Sequence, residues 1–122
     1  MAAEYVFSVR FRLSPDATVS VEPETFEPTL YRPADPPGED GWLFFRDNLW
    51  RGEVNDQRHA RRLAEDALGV DVESIEFRRF ETDREHYDAL KAAIADDLAT
   101  FNADDVSEVL NKYFGSSVEV ES

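Results

Sequence analysis

The chain has 122 residues and a formal net charge of -14, from 27 acids against 13 cations. Only Lys91 and Lys112 are lysines; the other eleven cations are arginines. A hydrophobic content of 42 % with 12 % aromatics excludes disorder as the reading of so much charge, and the absence of cysteine excludes disulfides, thiolate nucleophiles and Cys-ligated metal centres.

Residues 4–13 alternate with period two. Tyr5, Phe7, Val9, Phe11 and Leu13 share one face, and Val6, Ser8, Arg10 and Arg12 share the other, which predicts a strand with one buried face. Ser14-Pro15-Asp16 ends it. A weaker strand is expected over about 24–32, with Phe26 and Leu30 in phase. Pro28 cannot donate to a ladder, so this strand belongs at an edge. Residues 33–41 form a Pro/Gly/acid loop. Trp42-Leu43-Phe44-Phe45, apolar throughout, is expected as a third, central strand. Asn55 or Asp56 caps a helix over about 56–68, with Ala60, Leu63, Ala64, Ala67 and Leu68 at helical spacing and Gly69 as its stop. Residues 72–82 read as a fourth strand carrying Ile75, Phe77 and Phe80. A second helix is expected over about 84–101 along Tyr87, Leu90, Ile94, Leu98 and Phe101. Asn102 is expected to cap a third over about 103–114, ended by Gly115. The tail SSVEVES is either frayed or a short edge strand.

The order β-β-β-α-β-α-α predicts one α+β domain: a four-stranded, mainly antiparallel sheet with about three helices packed on one face. A βαβ crossover through the first helix would make the sheet mixed.

The segment Asp47-Asn48-Leu49-Trp50-Arg51-Gly52-Glu53 follows the aromatic run in an acidic, lysine-poor chain. In this it resembles the LWR-salt proteins, a small haloarchaeal family named for a Leu-Trp-Arg motif, here Leu49, Trp50 and Arg51. The resemblance implies a haloarchaeal, salt-adapted origin and assigns no activity or catalytic residue. Physically, Trp50 reads as a core or rim anchor. Arg51 is expected over an indole face or against a carboxylate such as Glu53. Gly52 lets the chain turn.

The composition itself points to salt. At molar salt the Debye length is about 3 Å, which screens self-repulsion of such a surface. Carboxylates are short and well hydrated, whereas lysine carries a long apolar stem. The expected address is the cytoplasm, since no basic start with an apolar stretch opens the chain and no apolar run approaches membrane-spanning length.

Signatures of chemistry are sparse. His59 and His86 fall on different predicted helices, so no zinc helix motif exists. Asp96-Asp97 and Asp104-Asp105 with Glu108 read as solvated surface, and no metal or cofactor is expected. No nucleophile elbow or phosphate loop appears. Charge is unevenly placed: residues 1–45 carry a net -5, residues 46–84 only -2, and residues 85–122 a net -7. If the first and fourth strands are neighbours, Arg10, Arg12 and Arg78 meet on one sheet face. Together with Trp50 and Arg51 they form the candidate interface or anion-binding residues; intramolecular pairing with Glu76 or Glu4 is the plainer alternative.

The expectation is a non-enzymatic interaction or adaptor domain that forms a homodimer or takes a protein partner. The alternative is a small enzyme or binder of an anionic ligand, with a pocket near Trp42, Trp50 and the arginines. A net -14 field disfavours nucleic acid.

Overall fold

The computed structural model describes residues 2–12 and 25–121. Leu13, the Ser14-Pro15-Asp16 turn and the side chains of Arg12 and Phe26 lie outside what it describes.

Two long strands form the centre of the sheet. β1 (Ala3–Arg12) runs antiparallel to β6 (Val72–Asp83), from Ala3 opposite Thr82 to Phe11 opposite Val72. β6 is bulged twice. Val6 faces Arg79 while Phe7 faces Phe77, and Arg10 faces Ser74 while Phe11 faces Val72. Arg78 and Glu73 are the extra residues. Each bulge shifts the side-chain phase by one, so Val72, Ile75, Phe77 and Phe80 all reach the core despite irregular spacing.

The second strand is an edge strand, as its proline requires. It is split into β2 (Thr25–Phe26) and β3 (Thr29–Pro33), both antiparallel to β1. Pro28 sits at the break, and its carbonyl accepts from the Val9 N–H at 3.0 Å. The other edge is β7 (Val118–Glu121), parallel to β6. The sheet order is β3–β1–β6–β7, with β2 beside β1: four lanes, mainly antiparallel, in an α+β fold.

One expected strand is a helix. Trp42 and Leu43 lie in turns that lead into α1 (Phe44–Asn48). Trp42 N–H reaches the Glu39 carbonyl, and Phe44 N–H reaches that of Gly41. Helical rotation sends adjacent phenylalanines to different neighbours. Phe45 stacks on Phe101 and Phe114 (centroids 5.8 and 5.0 Å), whereas Phe44 meets Tyr5 at 4.7 Å. The fourth lane of the sheet therefore comes from the tail.

After α1 the chain makes a minimal hairpin, β4 (Leu49–Trp50) and β5 (Glu53–Val54). Helix α2 (Gln57–Leu68) is bounded as its sequence signals demand. The Asp56 carboxylate accepts from His59 N–H, and Gly69 takes φ +71°. Helix α3 (Arg84–Ala95) is capped by Asp83 and stops early. Asp97 accepts from the Thr100 hydroxyl at 2.7 Å, and Leu98–Phe101 tighten into a 3-10 turn closed by left-handed Asn102. Such local side-chain bonding competes with helix continuation. Helix α4 (Val106–Phe114) is capped by Asp105 rather than Asn102: Asp105 accepts from Glu108 N–H while the Glu108 carboxylate accepts from Asp104 N–H.

All four helices bury residues in one cluster against Tyr5, Phe7, Val9, Ile75 and Phe80. The opposite sheet face is bare and charged, except that Val6 is fully buried there, flanked in register by Tyr31 and Arg79.

Candidate functional site

The sheet and α2 do not close completely. Between them, beneath the edge strand β3, lies a pocket of about 210 Å³ walled by Phe7, Leu30, Phe44, Val54, Leu63 and Ile75. Its shape follows from sequence. Helix α2 turns Ala60, Ala64 and Ala67 toward this space, and alanine fills little of it. Asn48 lies in the wall as an amide. Its Nδ2 donates to the Phe44 carbonyl at 2.9 Å, and its own carbonyl accepts from Asn55 N–H at 2.9 Å. Asn55 Nδ2 also donates to the Asp47 carbonyl, so one residue satisfies the end of short helix α1.

Arg32 stands at the rim, exposed, with its guanidinium carbon 4.4 Å from the Phe44 ring centroid. Its backbone is fixed opposite Tyr5. Tyr5 is itself buried, and its hydroxyl accepts from the Phe45 backbone N–H; burial raises its pKa well above the usual phenol value. Among the described residues no carboxylate, histidine or thiol lines the pocket.

The Leu-Trp-Arg segment forms a different construction. Leu49 is fully buried. Trp50 is 44 % exposed and meets Tyr113 edge-to-face at 6.1 Å. Arg51 and Gly52 form the hairpin turn with φ of +53° and +82°, both left-handed. Their N–H groups donate to the carbonyls of Lys112 (2.7 Å) and Tyr113 (3.0 Å) in the last turn of α4. These helix-end carbonyls lack intrahelical donors, so the motif acts as a cap supplied from another part of the chain. The Arg51 guanidinium lies 5.7 Å from the Trp50 ring centroid. Glycines face each other at this joint: a Cβ on Gly52 would sit 3.0 Å from the Phe114 carbonyl oxygen, and one on Gly115 3.1 Å from that of Arg51.

The sheet-face arginines are dispersed. β1 and β6 are neighbours, but Arg10 sits opposite Ser74, whereas Arg78 occupies the bulge beside Phe7 and Phe77. Arg10 pairs with Glu27 at 3.5 Å and Arg78 with Glu76 at 3.2 Å. Arg79, which the sequence reading did not single out, holds Glu81 at 2.6 Å and Glu119 at 3.6 Å. Arg12 is in β1 opposite Thr25, and its side chain is outside the described residues. Trp42 packs on Phe45 and Phe101 and Trp50 on Tyr113, and neither tryptophan lines the apolar pocket.

Sequence reasoning missed Leu30, Arg32, Asn48 and the alanines as pocket residues. The alanine spacing in α2 was visible, but alanine on an apolar stripe carries no sign of a cavity.

No group of three or more metal-ligating side chains is gathered among the described residues. No helix among them is long and apolar enough to cross a membrane. Comparison with curated proteins and with solved structures finds no match. A family model described as LWR-salt protein matches residues 1–122. With Leu49, Trp50 and Arg51 set as one hairpin-and-cap unit within that match, the chain belongs to the LWR-salt family.

Proposed function

We propose that this protein is a non-catalytic binding domain for a small molecule with an apolar body, working in the salt-filled cytoplasm of a haloarchaeal cell. The pocket beneath β3 carries this reading. The pocket is open at its rim, so its apolar lining meets water, and an apolar group seated there removes that surface from water. A space of about 210 Å³ beside an aromatic-rich core therefore suits an apolar occupant. Its walls are apolar with Arg32 and Asn48 as polar groups, the usual make-up of a ligand site. With no carboxylate, imidazole or thiol among the described residues of the wall, the pocket suits binding and orientation rather than proton transfer or nucleophilic attack. The high acid content and scarcity of lysine support the salt-rich setting.

The test is a ligand-observed NMR screen of single-ring and branched-chain compounds in molar KCl, on the native chain and on Ala64→Leu. The variant fills the pocket from α2. Native binding that Ala64→Leu abolishes, with the fold intact by circular dichroism, is the expected result. Binding unaffected by Ala64→Leu, or no binding at millimolar ligand, overturns the proposal.

A protein-partner role, including a homodimer, has its own support in exposed Trp50 and Tyr31, at 44 % and 50 %. Large exposed aromatics serve as interface anchors. With Arg10 and Arg78 paired within the chain, this reading looks to the Trp50–Arg51 edge more than to the sheet face. Light scattering of Trp50→Ala at native salt tests it: an oligomer lost in the variant supports it, and a native monomer overturns self-association.

A further inference from the structure

We infer that the pocket's ligand is a monocarboxylate with a compact apolar body, its carboxylate held by Arg32; this rests on the binding role proposed above and names its ligand class.

Some arginines of this chain are held by its own carboxylates. Arg10, Arg46, Arg78 and Arg79 each have one within 3.5 Å. Arg32 has none among the described residues. Its contact is the face of Phe44, at 4.4 Å. Asp35, three residues on, packs its carboxylate against Gly41 instead. What sets Arg32 apart is its place: it stands at the rim of an apolar pocket with its donors open to an anion.

The position suits that role. A guanidinium carries its N–H donors in one plane around its carbon, and here that carbon stands 4.4 Å from the Phe44 ring centroid. Those donors match the two oxygens of a carboxylate. The strand holds the base of the side chain, since Arg32 is paired with Tyr5 between Tyr31 and Pro33. Phe44 belongs both to the Arg32 contact and to the pocket wall. A carboxylate on Arg32 therefore leaves the rest of its molecule directed along an apolar surface.

Charge and volume narrow the class. Arg32 is the one cation among the described residues of the lining, so a second carboxylate or a phosphate dianion would meet apolar wall there without a counter-charge. The -14 body repels anions at long range in dilute salt, but at molar salt the field beyond about 3 Å is screened and contact pairing decides selectivity. An apolar cavity of roughly 150 Å³ admits benzene. At about 210 Å³ this pocket takes one ring with a short arm, or a branched chain of similar bulk.

Phenylacetate and its neutral isostere phenylacetamide separate the two levels of the proposal. Titration calorimetry in molar KCl on the full chain is expected to show phenylacetate binding about ten-fold more tightly than the amide, the usual scale for a charge-assisted contact. Arg32→Gln should erase that preference, weakening phenylacetate about ten-fold and leaving the amide within about two-fold. Arg32→Lys should restore part of it. Arg32 is exposed, and unchanged thermal melting of both variants keeps the comparison valid. Equal affinity of acid and amide, unmoved by Arg32→Gln, overturns the carboxylate assignment while the pocket remains a binding site. Binding of neither compound at millimolar concentration overturns both.

Discussion

The Arg51 N–H donates to the Lys112 carbonyl over 2.7 Å, tying the hairpin turn to the end of α4. Gly52 N–H adds the bond to Tyr113 at 3.0 Å. The turn and the helix end satisfy each other's backbone, and each such bond contributes about 1 kcal/mol net. Gly52→Ala attacks the joint directly. Its φ is +82°, and the new Cβ would stand 3.0 Å from the Phe114 carbonyl oxygen. We expect a loss of about 1–3 kcal/mol, from left-handed strain and displaced bonds. Urea unfolding in molar KCl measures it, and an unchanged midpoint would contradict the joint.

The three motif residues should differ sharply in what they hold up. Leu49 is fully buried, so Leu49→Ala should cost about 2–5 kcal/mol. Trp50 is 44 % exposed, and Trp50→Ala should cost less than that. Arg51→Gly relieves a left-handed residue but loses the indole contact, so the expected net change is within about 1 kcal/mol. The ranking Leu49 > Trp50 > Arg51 in urea midpoints is the check.

The parts legible in sequence were those with a period or a cap. β1 shows period two, and α2 has Asp56 and Gly69 at its ends. The fourth strand was legible from Ile75, Phe77 and Phe80, but its bulges were not read: the change of spacing from two to three falls where Arg78 is the extra residue. Trp42–Phe45 misled because an unbroken apolar run has no period to read. The Asp105–Glu108 pair signalled the true start of α4, but Asn102 also reads as a cap. The pocket was not legible, since its wall comes from β1, β3, α1, β5, α2 and β6, and only folding brings them together.

Gln57 should prove a structural residue despite its place on an exposed helix start. Its side-chain amide donates to the Ile75 carbonyl at 2.8 Å and accepts from the Ile75 N–H at 2.7 Å, standing in for a neighbouring strand. Gln57→Ala should cost about 1–2 kcal/mol by leaving that stretch of strand unpaired. Gln57→Glu should cost at least as much at neutral pH, because a carboxylate then faces the Ile75 carbonyl. Hydrogen exchange at Ile75 should accelerate in both; protection equal to the native chain would refute the role.

Acidification should expose His86. Burial holds its imidazole pKa below the usual value, outweighing the opposing pull of Asp83. The folded state thus prefers the neutral ring. Its contribution is complete above about pH 6.5, the unfolded value, and is lost as pH falls through the lower folded one. Asp83 accepts from the His86 and Ala2 N–H groups, which depresses its pKa, so its contribution fades only in stronger acid, below about pH 4. His86→Gln should flatten the stability profile just below pH 6.5 and leave the acid limb in place. An unchanged slope in urea midpoints across that range would count against a buried neutral ring.

The joint between hairpin and helix also sets an order of assembly. Arg51 and Gly52 need carbonyls that the chain supplies about sixty residues later. During synthesis the Leu-Trp-Arg segment emerges first and has only water to bond until α4 is made. β7, which closes the sheet beside β6, arrives later still. Contacts of this separation slow folding because the intervening loop must close first. The tertiary structure is therefore completed from its C-terminal side, and until α4 forms the Arg51 and Gly52 N–H groups have only solvent to bond.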